Sequence, residues 1–447
     1  MFPGDPGITK GISPANLSNF APRVGFAWDV FGDGKTSVRG GYGVFYNAIN
    51  ADSLAQTNAP WVGTANPAHG NIADPFGSIG ETNPPVTPTG QFGCVPIPTY
   101  PFYSCSLFPL PLSGLYVATN LRLPLYQEYD FSIQRQITPS TMIEISYVGN
   151  TGSRVGNYIP NNPARFITDP ITGQPPSEDN VDDRVLFEPG ILSPSGYIYG
   201  NYNHSNYNSL QIQGTKRFGH GSTILANYTR ARSLDMISNN NSSGNILNPF
   251  DLEASYGPSD FDRRDSFVVS WLYTLPIHFS NSVANSLLSG WTVTAIQSVM
   301  SGTPITFYAG QDVALDGTFD SQTAELQPGA NASTVRISHP NRAAEVNEFF
   351  NTAAFVNPNL SPPGSYGNST KGMINGPAYA DTDASILKDF TLPQSLKLQF
   401  RLETFNLFNQ VNFSNPNSTA NSGGFGQIQS TVAGTGRQLQ LALKLLW

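Results

Sequence analysis

The last eleven residues, 437–447, constrain this chain most. They read RQLQLALKLLW, with Leu439, Leu441, Leu443, Leu445 and Trp447 on one parity and Gln438, Gln440, Ala442 and Lys444 on the other. Only Leu446 breaks the alternation. A strand has a side-chain period of two, so the segment has one apolar face and one largely polar face. Its length is close to the roughly 9–11 residues with which a tilted strand crosses a membrane. In water, a long edge strand with a face of leucines invites aggregation. In a membrane barrel, lipid wets that face and closure pairs both edges.

Composition agrees with strands rather than apolar helices. Mean hydropathy is -0.22, so no stretch reads as a transmembrane helix. Alternating barrel strands average toward neutral, so this value leaves them open. Charged residues make up only 12% of the chain, and its polarity comes from Asn, Ser, Thr, Gln and Gly. The 42 Gly and 36 Pro call for abundant turns and loops. A net charge of -8 argues against a nucleic-acid surface.

The same alternation recurs along the chain. Val24, Phe26, Trp28 and Val30 oppose Arg23, Gly25, Ala27 and Asp29. The turn FGDGK then leads into a return strand. That turn ends like a phosphate-binding loop, but Asp29 stands where such a loop needs glycine, and a strand follows instead of a helix. A second pair is expected near Phe131–Ile137 and Ile143–Tyr147, and a third across Gly219-His220-Gly221. A fourth pair joins residues 264–275 to 291–307, and a fifth joins 381–390 to 395–409. In the last of these, Leu396, Leu398, Phe400 and Leu402 oppose Lys397, Gln399, Arg401 and Glu403. Irregular stretches are expected over about residues 47–125, 149–206, 232–262, 308–379 and 410–436.

The result is an all-β chain of about eleven strands whose connections alternate short and long. This pattern fits a transmembrane antiparallel up-and-down β-barrel in a bacterial outer membrane, with short periplasmic turns and long extracellular loops. An odd count cannot be a complete bacterial barrel, so the chain is expected to be part of a larger one. The N-terminus, MFPGDPGITKGISP, has neither a basic nor an apolar region of a signal peptide.

Several stretches resemble the C-terminal half of TonB-dependent outer-membrane receptors, specifically the Oar-like group of acidobacterial type. They are NFAPRVGFAWDVFGDGKTSVRGGYGVFYN at residues 19–47, GPSDFDRRDSFVVSWLYTLP at 257–276, SGTPIT at 301–306, RLETFNLFNQVNF at 401–413 and the terminal RQLQLALKLLW. They lie across the expected strands and leave the long loops unmatched. The resemblance implies a barrel of about 22 strands closed around an N-terminal plug. Residues 1–447 would be its C-terminal portion, with plug domain and signal peptide absent. It further implies a missing N-terminal barrel half, a TonB complex acting through the missing plug, and an unknown extracellular ligand. The barrel-assembly machinery would read the terminal strand, including its final aromatic.

Chemical motifs are sparse. The five histidines, His69, His204, His220, His278 and His339, show no metal spacing. No nucleophile elbow or Cys/His context occurs, so an enzyme, a cofactor and a metal are not expected. Cys94 and Cys105 stand close together, and a loop disulfide is favoured over two free thiols. Lys397, Gln399, Arg401, Glu403, Gln438, Gln440 and Lys444 are expected to face the lumen. Leu439, Leu441, Leu443, Leu445 and Trp447 are expected to face outer-membrane lipid. Tyr46, Tyr147, Trp271 and Trp291 read as interfacial girdle residues. The run from Asp260 to Asp265 reads as a rim network of paired charges in preference to a ligand cluster. The function expected is uptake of a scarce ligand with TonB-derived energy. The alternative is a surface adhesion or assembly protein without transport.

Overall fold

The computed structural model describes residues 18–49, 94–96, 103–105, 114–118, 120–187, 189, 192–238, 246–318, 321–393 and 396–446. Among the described residues, eleven strands pair in chain order along one sheet, and two short ones, Leu115–Val117 and Gly257–Pro258, pair onto it off this path. The eleven are β1 (Arg23–Asp29), β2 (Thr36–Tyr46), β3 (Leu125–Thr138), β4 (Thr141–Pro160), β5 (Tyr197–Arg217) and β6 (Thr223–Asp235). They continue as β7 (Asp265–Thr274), β8 (Trp291–Met300), β9 (Tyr379–Thr391), β10 (Lys397–Phe405) and β11 (Gln438–Leu446). Every neighbouring pair on this path is antiparallel. The sheet is open, with β1 and β11 as its edges. Among the described residues no helix is long and apolar enough to cross a membrane; strands do the crossing in a barrel.

Register makes the two faces explicit, because directly paired residues share a face. Trp28, Val38, Ile133, Ile145, Ile212, Tyr228, Phe267 and Val299 form one cross-strand row over eight strands. Tyr273, Val293, Ile386, Leu402 and Leu441 form another. The opposite face carries Ser37, Gln134, Glu144, Gln213, Asn227, Val268, Ser298 and Asp381 in one row. The apolar face is uncovered: Leu439, Leu441 and Leu443 are 72%, 71% and 70% exposed. Each such leucine costs roughly 1.5–3 kcal/mol when left in water. A bilayer removes that cost along the whole band.

The β1–β2 turn confirms the hairpin. The Asp29 carboxylate accepts from the Gly32 and Gly34 amides at 3.1 and 2.8 Å. Both glycines have positive φ, which suits a residue without a Cβ.

Four boundaries differ from the sequence expectation. β4 runs on to Pro160 and β5 begins at Tyr197, so much of the stretch expected to be irregular is strand. Its Asn, Gly and Ser composition hides the period of two. β8 and β10 are shorter than expected, ending at Met300 and Phe405. The β7–β8 connection holds a short helix, α1 (Ser282–Leu288), whose Asn281 side chain accepts from the Val283 and Ala284 amides.

The long-loop end carries its own core. Ile305, Phe307, Val335, Phe350, Phe355 and Ile374 are all buried, although they lie in the connection between β8 and β9. Phe425, from the connection between β10 and β11, packs into the same cluster. Phe307 and Phe350 meet edge to face at 4.7 Å, and Phe350 and Phe425 at 5.0 Å. Edge-to-face rings add to the burial they bring.

Candidate functional site

Where the polar sheet face meets the loop layer, a cavity of about 360 Å³ opens. Asn150 of β4, Asn203 and Tyr207 of β5, and Ser233 and Asp235 of β6 line it, with Phe261 from the following loop. Asn203 is buried and its amide donates to the Ile237 carbonyl at 3.0 Å. Strand geometry fixes these side chains, so the wall is preformed. It offers Asn and Ser donors and acceptors beside the Tyr207 and Phe261 rings, with the Asp235 carboxylate paired to Lys371, which suits a polar, uncharged ligand. Sequence reading missed these residues because they come from separate strands and form no motif.

The loops above the cavity are welded together. Lys371 Nζ donates to Asp235 Oδ1 at 2.6 Å, to the Asp235 carbonyl at 3.0 Å and to the Met236 carbonyl at 3.1 Å. Arg184 is buried and donates to the Asn180 side chain, the Ser177 carbonyl, the Arg165 carbonyl and the Leu315 carbonyl. Gln322 donates to Asp312 at 2.6 Å, and Tyr366 donates to Asp316 at 2.8 Å. Burial raises the pKa of Asp316, with Asp312 adding to the effect. Burial likewise raises Asp260, and pushes Tyr308 up to about 12. Buried polar groups held this way fix one loop arrangement.

The charged run at the loop-to-strand junction is a rim network. Arg230 meets Asp265 at 3.1 Å, and Tyr228 donates to Asp265 at 2.6 Å. Arg232 meets Asp262 at 3.5 Å, and Arg263 donates to the Ser301 carbonyl at 2.7 Å.

The polar side chains expected in the lumen share one face of β10 and β11. Gln399 pairs with Lys444, Glu403 with Gln440 and Arg401 with Ala442, while Lys397 stands opposite Leu446 and Gln438 opposite Phe405. Arg401 lies 3.5 Å from Glu403, and Gln399 donates to Asp389 at 2.8 Å. Leu439, Leu441, Leu443 and Leu445 share the other face, and Trp447 lies outside the described residues. Tyr147 and Trp271 stand on the apolar face. Cys94 and Cys105 are register partners in a small antiparallel pair, Cys94–Pro96 with Tyr103–Cys105. His204 stacks on Tyr256, and His339 bonds the Glu348 carbonyl. His69 lies outside the described residues. Among the described residues no group of three or more His, Cys, Asp or Glu is placed to hold a metal ion.

A family model described as an outer membrane beta barrel domain matches residues 1–440. The chain belongs to this family. The outer membrane beta barrel domain accounts for the sheet: one apolar face for lipid, one polar face, and connections that alternate short and long. No curated protein sequence matches the chain. Solved structures similar to it include the outer membrane transporter YddB from Escherichia coli, at 10% identity, 95% coverage of this chain and a TM-score of 0.49. They also include the FrpB iron transporter from Neisseria meningitidis, at 10% identity, 95% coverage and a TM-score of 0.41. The ferric preacinetobactin receptor BauA from Acinetobacter baumannii matches at 8% identity, 95% coverage and a TM-score of 0.40. The chain spans 40%, 39% and 36% of those three chains.

Proposed function

We propose that this domain is the C-terminal portion of a TonB-dependent receptor of the Oar-like group, and that it takes up a scarce ligand across the outer membrane. The loop layer would capture the ligand outside the cell. The polar sheet face, with Lys397, Gln399, Arg401, Glu403, Gln438, Gln440 and Lys444, would line the path inward. Energy would come from TonB through a plug on a preceding segment. The barrel-assembly machinery would recognise the terminal strand.

One observation carries this reading: the cavity with its Asn and Tyr wall lies where the polar sheet face meets a loop layer locked by buried side chains. A preformed polar pocket lowers the ordering cost of binding. An adhesion surface needs no pocket that opens onto the polar side of the sheet. The test is deletion of the gene in the source bacterium, followed by growth on single limiting nutrients with and without TonB. A growth defect on one nutrient, matched by loss of TonB, is the expected result. Unchanged growth together with loss of cell attachment would establish the adhesion alternative.

A further inference from the structure

The short-turn end of the apolar face holds a second cavity, of about 550 Å³. Phe218, Ile224, Trp271, Tyr273 and Pro276 form its wall. Ile224, Trp271 and Tyr273 lie on the lipid side of β6 and β7, so the cavity is a groove open to the bilayer. Lys216 stands at its rim. It pairs with Ile224 across β5 and β6, and its ammonium lies 5.9 Å from the centre of the Phe218 ring. The Ser140 and Thr141 hydroxyls each accept from Lys216 Nζ at 2.9 Å, which leaves the third N–H for another acceptor. Among the described residues no carboxylate forms an ion pair with Lys216.

Two other cations on this face differ. At the long-loop end, Arg230 is paired with Asp265. At the short-turn end, Lys388 is buried, facing the Trp291 and Phe390 rings and donating to the Ser289 carbonyl. Lys216 borders the apolar groove and, among the described residues, pairs with no carboxylate. It sits at the short-turn end of β5, one residue before the strand ends at Arg217.

The geometry points to a seat for one phospholipid of the leaflet on the short-turn side. Its phosphate meets the Lys216 ammonium and the hydroxyls of Ser140 and Thr141. Its acyl chain lies in the groove of Ile224, Trp271 and Tyr273. Charge complementarity selects the occupant, because phosphate is the anion that a phospholipid presents beside its acyl chains.

The experiment uses the protein extracted from its own membrane in mild detergent. Native mass spectrometry counts bound phosphatidylglycerol, and diacylglycerol serves as the same chains without phosphate. Wild-type protein should retain phosphatidylglycerol in preference to diacylglycerol. Lys216→Gln should weaken phosphatidylglycerol binding about fivefold, and Lys216→Arg should keep it. Ile224→Trp, which fills the groove, should weaken both lipids. If Lys216→Gln does not assemble, ionic strength replaces it: phosphatidylglycerol binding by wild-type protein must fall with salt, and diacylglycerol binding must not. Equal binding of the two lipids, salt-independent phosphatidylglycerol binding, or a Lys216→Gln protein within about twofold of wild type would overturn the proposal.

Discussion

Lys371 and Asp235 form a buried ion pair at 2.6 Å, although they stand 136 residues apart. The pair bolts the β8–β9 connection to the end of β6. Lys371→Met would leave a carboxylate uncompensated in a buried site, at a cost of about 3–5 kcal/mol. Hydrogen exchange should show the loop layer opening while the strands stay protected. Asp235→Asn in the same protein should recover part of the loss. Unchanged exchange in Lys371→Met would show that the pair does not hold the layer.

Phe350 is the centre of the loop core, touching Phe307, Phe355 and Phe425. Phe350→Ala should cost about 3–5 kcal/mol. Because this core is separate from the sheet, limited proteolysis should cut within residues 301–378 and 406–437 and spare the strands. Cleavage spread evenly over the chain would mean that loops and sheet unfold as one unit.

The terminal strand tests the assignment of faces. Leu443 pairs with Phe400 on the apolar face, and Ala442 pairs with Arg401 on the polar face. In a lipid-embedded barrel, Leu443→Arg should cost roughly 2–4 kcal/mol near the midplane and less toward the interface. Ala442→Arg should cost much less. Urea midpoints in lipid vesicles measure both, and a larger loss at Ala442 would reverse the faces.

Cys94 and Cys105 stand opposite one another in register. A disulfide between them is the expected outcome, as suits an oxidising compartment. Mass analysis of non-reduced peptides should find the two segments linked. Two thiols that alkylate freely in native protein would exclude it.

Acid should tighten the region around Asp316. Burial raises its pKa above the ordinary 3.8. The folded form therefore holds a proton that the unfolded form releases, and stability falls as pH rises from that ordinary value through the raised one. Asp316→Asn keeps an acceptor for the Thr318 amide, which bonds Asp316 at 2.8 Å. Its loop layer should lose this fall in protection as pH rises above the ordinary 3.8. Identical pH profiles for wild type and Asp316→Asn would refute it.

The period of two made the strands legible without any structure. It is local: each residue needs only its second neighbour to declare a face, so Phe267, Val269 and Trp271, or Leu439, Leu441 and Leu443, reveal both strand and lipid side. Strand number, order and the two faces followed from it. It failed in the outer parts of β4 and β5, where Asn, Gly and Ser stand on both faces. The loop layer was illegible for a different reason. Phe307, Phe350 and Phe425 share a core, and Lys371 reaches Asp235, only because distant segments are brought together by the sheet. No local spacing encodes such contacts. The polar cavity and the groove beside Lys216 likewise exist only where neighbouring strands set Asn150 beside Tyr207, and Ile224 beside Trp271.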